Sequence, residues 1–367
     1  MPRFRLPPII VHLLLSLPIA ASADTAIEAL IEEAGLDEHE LAVRERDGWR
    51  PPAKIIFRGR EALAAELDAA YPDVEIVSVG SDAAAQAVAA DADVLIGFCR
   101  DDTVAAAPRL VWVQIYSAGA ERCLAVERVG SGTVLLTNMQ KIASPAIGEH
   151  AVAMAMALAR GLITYGKRMP DGDWDPNAPG RSSMTALSGK TLLVVGLGGI
   201  GTEVARRGAG LGMRVVATRN SSREGPEFVD YVGLSDELFE LAGQVDVVVN
   251  ALPLTPATTD LFDEAFFDAV KPGALFVNVA RGKSVVTADL VAALEDGRLG
   301  GAGLDVTEPE PLPSAHPLWQ MSNVIITPHI AWAGADRARM NTLIRENIRR
   351  YVAGEALINV VDPALGY

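Results

Sequence analysis

Three residues able to do acid–base and anion-binding chemistry each stand just past an apolar run. Arg281 follows ALFVNVA, Glu310 lies in EPEPLP after GAGLDV, and His329 follows VIITP. Each run reads as a buried strand. The ends of parallel strands gather at one edge of a sheet, so groups remote in sequence can converge there. A guanidinium grips a carboxylate through two parallel hydrogen bonds. An imidazole, with an ordinary pKa of about 6.5, passes protons in both directions near neutral pH. Taken singly, each residue also has a plain reading: a surface arginine, a solvated glutamate in a Pro-rich loop, a lone histidine. Of five histidines, His329 is the one placed at such a strand end. Glu308 lies near enough in the chain to compete for the part of Glu310. His150, on a helix of Ala and Met, reads as a packed, hydrogen-bonded residue rather than a catalyst.

Positioning these groups requires a sheet, and its start is legible at TLLVVGLGGIG, residues 191–201. A strand leads into Gly196, Gly198 and Gly201 in G-x-G-x-x-G spacing, a helix-like segment follows, and MRVVAT at 213–218 closes the unit. The first glycine permits a tight turn, the second lets a pyrophosphate approach the backbone, and the third lets helix and strand pack closely. The helix N-terminus then offers free N–H groups to phosphate. In this context the motif predicts dinucleotide binding. Further strands are expected at 245–250, 274–280, 301–306 and 324–327, which makes six. A separate strand–helix alternation runs earlier, with strands at 54–57, 74–79, 94–98, 111–115 and 134–137. The fold class expected is α/β, with two doubly wound parallel-sheet domains, the second a Rossmann dinucleotide-binding domain. The divisions expected are an acidic segment at 24–49, a flavodoxin-like substrate domain at 50–145, the dinucleotide domain at 146–330, and a segment at 331–367 returning to the first domain. Residues 166–188 read as a connecting loop. The helix at 146–160 presents Ala151, Met154, Ala155 and Leu158 at helical spacing, more apolar surface than one sheet needs to cover.

Half of the 367 residues are hydrophobic and 5% aromatic, which suits aliphatic parallel sheets under helices. A formal charge of −15 argues against nucleic-acid binding. Residues 1–23 combine Arg3 and Arg5, a short apolar stretch and Ala21-Ser22-Ala23, the pattern of a secretory signal peptide cut after Ala23. That predicts an exported chain, most plausibly in a bacterial periplasm, with no stable membrane anchor. Free dinucleotide cofactors are held mainly in the cytosol, which keeps a cytoplasmic location as the alternative. Cys99 and Cys123 are too few for a disulfide framework or a zinc site and read as two ordinary thiols. A single bridge is compatible with export. No metal is expected.

With these motifs assembled, the chain resembles the D-isomer-specific 2-hydroxyacid dehydrogenases, in particular glyoxylate/hydroxypyruvate reductases. The resemblance rests on VVGLGGIG at 194–201, ALPLTPATTDLF at 251–262, NVARG at 278–282, GLDVTEPEPLP at 303–313 and TPHIAW at 327–332, with SAGAE at 117–121 and GEHAVAMAMALAR at 148–160. It implies hydride transfer between NAD(P)H and a small 2-oxo or 2-hydroxy acid. Arg281 would bind the substrate carboxylate and polarise the carbonyl. His329 would exchange a proton with the carbonyl oxygen. Glu310 would hydrogen-bond His329 and steady its charged form. Backbone N–H groups at Ser117, Ala118 and Gly119 would hold the carboxylate from the other domain, with Trp332 lining the pocket. Gly196, Gly198, Gly199, Ile200 and Gly201 would cradle the dinucleotide, Leu252, Pro253, Thr258 and Ala280 would flank it, and Asp305 would orient its carboxamide. One position departs from the NAD-using pattern. Where an acid usually meets the ribose 2′-OH stands Arg219, followed by Asn220, Ser221, Ser222 and Arg223, with no acid until Glu224. This predicts NADP as preferred cofactor, with NAD possible. Family resemblance also implies a homodimer. Members that act as corepressors leave a second reading, a non-catalytic dinucleotide sensor on the same fold.

Overall fold

A computed structural model describes residues 23–178 and 181–367. The segment read as a signal peptide lies, but for Ala23, outside the described residues.

Two parallel sheets organise the chain. The first contains β1 (Lys54–Arg58), β2 (Glu75–Val79), β3 (Val94–Ile96), β4 (Trp112–Gln114) and β5 (Leu135–Thr137). Their order is β2-β1-β3-β4-β5, the doubly wound flavodoxin-like arrangement. Strand side chains alternate between faces, and this sheet is apolar on both. Ile55, Phe57, Val94, Ile96 and Trp112 pack on one side, Ile56, Leu95, Val113 and Leu136 on the other. The first face is covered partly by chain from the two ends of the protein. Ile27 and Leu30 of the helix Ala23–Ala34, and Leu343, Ile344, Ile348 and Tyr351 of the helix Arg337–Ala353, join that cluster. Tyr351 stacks on Trp112 with ring centroids 5.1 Å apart. The helices Ala23–Ala34 and Arg337–Ala353 thus both pack against the first sheet.

The second sheet holds β6 (Thr191–Val195), β7 (Arg214–Thr218), β8 (Tyr231–Gly233), β9 (Val247–Asn250), β10 (Ala274–Asn278), β11 (Leu299–Leu304) and β12 (Val324–Ile326). Their order is β12-β11-β10-β9-β6-β7-β8. It has seven strands, not the six read from the sequence. The additional one, β8, is a three-residue edge strand beginning at the exposed Tyr231, too short to give a periodic signal. Connections run to opposite sides of β6 and β9, which makes that pair the topological switch point, where ligands of such sheets bind.

Two further expectations are corrected. The stretch 166–188 is not one loop, since Leu162–Arg168 is helical and short 3-10 turns follow at 169–171 and 181–183. Ala151, Met154 and Ala155 of the helix Ser144–Ala159 are not spare apolar surface. They are buried against Leu192, Val194, Val247 and Val204, because the helix is wedged between the second sheet and the helix Gly199–Gly210. The apolar side chains left exposed lie further along: Met156, Leu162, Met169 and Trp174, the last 94% exposed.

Cys99 and Cys123 are not free thiols but a disulfide, with Cα atoms 5.4 Å apart. The reason is topological. Cys99 follows β3 and Cys123 follows β4, and those strands are hydrogen-bonded neighbours, so both residues emerge at the same sheet edge.

Candidate active site

The glycine turn is built as its spacing requires. Gly196 has φ +95°, and a Cβ there would lie 3.0 Å from Leu252. A Cβ on Gly201 would overlap the Gly196 carbonyl oxygen. Gly198, by contrast, has open space where a Cβ would be. It is the N-cap of the helix Gly199–Gly210, whose first N–H groups have no side-chain cap. Uncapped N–H groups at a positive helix end, beside a glycine with clear space, fit the phosphates of a dinucleotide. Gly199 is pressed against Ser144 and Lys141, and Ile200 packs on the sheet beneath. We expect Gly201→Ala to abolish dinucleotide binding and to destabilise the fold by about 1–3 kcal/mol, the usual cost of overpacking. Calorimetric titration with dinucleotide and thermal unfolding check this.

Two buried asparagines fix the loops that flank this turn. Asn250, ending β9, donates to Asn278 at 3.1 Å and to Ser284 at 2.8 Å, and accepts from the Leu252 N–H at 3.1 Å. Asn278, ending β10, accepts from the Ala280 N–H and donates to the Arg281 carbonyl, both at 3.0 Å. Leu252-Pro253 and Ala280-Arg281 are thus held in register at the switch point. Reasoning from the sequence missed both asparagines. Their signal is a polar residue closing each apolar run, VVVN and ALFVN. Thr258 spends its hydroxyl locally, donating to the Pro253 carbonyl at 2.7 Å.

Arg281, Glu310 and His329 follow β10, β11 and β12, three consecutive neighbours in the sheet. His329 Nδ1 lies 2.7 Å from Glu310 Oε1. Glu308 does not take that place; its carbonyl accepts from Thr287 at 2.6 Å. The paired nitrogen leaves Nε2 free to face a substrate. His329 has φ +55°, an uncommon backbone state for a residue other than glycine. Asp305 accounts for that conformation. It is 3% exposed and accepts from the Thr327 hydroxyl at 2.6 Å and from the backbone N–H groups of Ile330 at 2.9 Å and Ala331 at 3.0 Å. The Asp305 carbonyl also accepts from the His329 N–H at 2.7 Å. Asp305, expected beside the cofactor, thus shapes the turn carrying His329. His150 supports the same turn through Thr327 at 2.9 Å, in line with its reading as a packed residue. Trp332 is largely exposed, its indole N–H donating to the His329 carbonyl at 3.2 Å.

The first domain supplies the opposite wall. Ser117 donates to the Gly119 carbonyl at 2.9 Å, and the Ala118 carbonyl accepts from Asn138 at 2.7 Å, so the loop after β4 is internally fastened. Arg281 reaches this wall: its Nε donates to Glu121, which the sequence did not single out.

At the far end of the glycine turn, Arg219 follows β7, its backbone N–H donating to the Gly233 carbonyl at 2.9 Å and its guanidinium to the Glu224 carbonyl at 3.1 Å. Asn220 and Ser221 are exposed beside it. Arg223 does not turn back as a second free cation. It pairs with Glu237 and lies 2.9 Å from the Tyr231 hydroxyl. The Arg223 guanidinium, followed by the Tyr231 hydroxyl, holds the Glu237 carboxyl down at about 2.

Comparison with known proteins agrees with this arrangement. Residues 152–331 match the family model described as D-isomer specific 2-hydroxyacid dehydrogenase, NAD binding domain. A glyoxylate reductase of Pyrococcus furiosus is 35% identical over 257 residues, covering 68% of this chain and 75% of that protein. Glyoxylate/hydroxypyruvate reductase A of Serratia proteamaculans is 33% identical over 264 residues, covering 71% and 82%. Among solved structures, the NADPH-dependent glyoxylate/hydroxypyruvate reductase of Sinorhizobium meliloti, in complex with NADP and sulfate, superposes with a TM-score of 0.73. Its identity is 28%, over 86% of this chain and all of that one. The chain belongs to the D-isomer specific 2-hydroxyacid dehydrogenase family. It is an oxidoreductase that uses a nicotinamide dinucleotide and transfers hydride on small 2-hydroxy acids.

Proposed function

We propose that the protein reduces short 2-oxo acids of the glyoxylate and hydroxypyruvate type to 2-hydroxy acids, D-configured where C2 is a stereocentre, with NADPH as the preferred donor. The observation that carries this is the His329–Glu310 pair, set beside Arg281 at the carboxyl ends of adjacent strands. The bound dinucleotide supplies the hydride. Arg281 binds the substrate carboxylate with its planar donors and draws electron density from the carbonyl. His329, steered by Glu310, gives a proton to the carbonyl oxygen as the hydroxyl forms, and takes it back in the oxidation. Closure of the first domain over the site excludes water. Asp305, besides shaping the His329 turn, has a remaining lone pair with which to orient the carboxamide. A panel of 2-oxo acids assayed with NADPH and NADH tests the reading. Turnover of glyoxylate or hydroxypyruvate is expected. Dinucleotide binding without turnover of any of them would favour the sensor reading.

The same reading includes a homodimer. Met156, in the last turn of the helix Ser144–Ala159, and Leu162, Met169 and Trp174 beyond it are apolar and exposed, a surface suited to a two-fold contact. Light scattering at micromolar concentration is expected to give twice the monomer mass, and a monomer mass counts against the contact. We also place the mature chain outside the cytoplasm, beginning at Asp24. The Cys99–Cys123 bridge supports this, since such bonds persist in oxidising compartments. N-terminal sequencing after fractionation decides it. An intact Met1 or Pro2 in the cytosolic fraction would end the export reading in favour of a cytoplasmic enzyme.

A further inference from the structure

Arg281 is already engaged by the protein itself. Its Nε donates to the Glu121 carboxylate from the other domain, and its Nη1 donates to the Ala280 carbonyl at 2.7 Å. Its Nη2 lies so close to Gly119 that a Cβ on that glycine would overlap it. The guanidinium is therefore folded onto the Ser117–Gly119 loop. A carboxylate bound by Arg281 and this loop together would have to sit in the gap between them, and that gap is closed. One edge of the guanidinium holds a carboxylate, and the carboxylate is internal.

Glu121 is delivered there by local structure. It opens the helix Glu121–Leu124 directly after the loop. Cys123, buried in the same helix, is tied to Cys99 beyond β3, which keeps the helix at the sheet edge. Burial pushes the Glu121 carboxyl up, but the hydrogen bond and charge of Arg281 outweigh it, so the group sits below the usual carboxylate range.

We propose that Glu121 is an internal competitor for the substrate: in the ligand-free protein it latches Arg281 against the first domain, and the carboxylate of the incoming 2-oxo acid takes its place. The inference rests on the hydride-transfer reading above. Its consequence is selectivity. A 2-oxo acid can exchange one carboxylate for another at the guanidinium. A simple aldehyde, which has no carboxylate, has nothing to exchange and leaves the latch shut. The latch is thus opened by a carboxylate and not by a carbonyl group alone.

The test compares wild type with Glu121→Gln and Glu121→Ala, all loaded with NADPH. The KM for glyoxylate is expected to fall about 10-fold or more, the scale of one charged hydrogen bond, while the KM for NADPH stays unchanged. A rise in the glyoxylate KM, or no change, would overturn the proposal and leave Glu121 a structural residue. A second arm needs no turnover. Phenylglyoxal modifies free guanidinium groups, and mass spectrometry reads the Arg281 peptide. Without substrate, Arg281 is expected to react faster in both variants than in wild type. Equal rates would overturn the latch. If wild type reduces no 2-oxo acid, the functional reading fails by itself, and this second arm still decides whether Glu121 holds Arg281.

Discussion

His329→Gln is expected to lower turnover by about 10²–10⁴-fold, the range for removing a general acid–base group, while dinucleotide binding stays at the wild-type level. The two effects separate because the site is built in two parts. On the proposed reading the dinucleotide would be held by the Gly196–Gly201 turn and the loops pinned by Asn250 and Asn278, whereas His329 follows β12 and is positioned by Asp305 and Glu310. The turn that carries His329 is held by Asp305 through backbone N–H groups and Thr327, so removing the imidazole leaves it standing. Glutamine can still hydrogen-bond to Glu310, but it cannot give up and recover a proton near neutral pH. Glu310→Gln should be milder, since the imidazole remains and loses only its charged partner. Stopped-flow turnover and fluorescence titration with NADPH measure the two parts independently. A His329→Gln enzyme retaining more than half of wild-type turnover would remove His329 from the chemistry.

The second large effect is expected at Arg219. Wild type should favour NADPH over NADH by roughly 10–100-fold in kcat/KM, because one charged hydrogen-bonding contact is worth about 1.5–3 kcal/mol. Arg219→Asp should reverse or abolish that preference and spare the NADH reaction. A guanidinium donates two hydrogen bonds to a 2′-phosphate and can stack on the adenine face, whereas an aspartate repels the phosphate and accepts from a 2′-hydroxyl. The surroundings favour Arg219 for this part. Among the described residues its side chain donates to the Glu224 carbonyl alone, whereas Arg223 is neutralised by Glu237. Arg223→Ala should therefore change the preference little. Wild type preferring NADH would dismiss Arg219 as a phosphate ligand.

What the sequence made legible was local or strongly periodic. The glycine turn is read within six residues, and each buried strand announces itself as an apolar run. The pairing of His329 with Glu310 spans 19 residues and two loops. Strand ends put the two groups at one edge, but only the family spacing chose Glu310 over Glu308. Contacts that depend on tertiary placement were not legible. Glu121 and Arg281 are 160 residues apart and belong to different domains. Cys99 and Cys123, 24 apart, pair because β3 and β4 are neighbours, which no spacing reveals. Met154 misled for the converse reason. One apolar stripe predicts one partner, and this helix is covered from two sides. Asp305 shows a third kind of limit, since a residue at a site-facing strand end can also fasten the loop that carries the histidine, a second task its position in the sequence does not announce.

The most direct measurement of the central claim follows the hydride itself. Hydroxypyruvate is incubated with NADPH deuterated at the transferring position of the nicotinamide, and the product is analysed by mass spectrometry and chiral chromatography. Wild type is predicted to give glycerate carrying one deuterium at C2, in the D configuration, and His329→Gln to give almost none in the same time. Unlabelled glycerate, labelled L-glycerate, or equal yields from the two proteins would contradict the account.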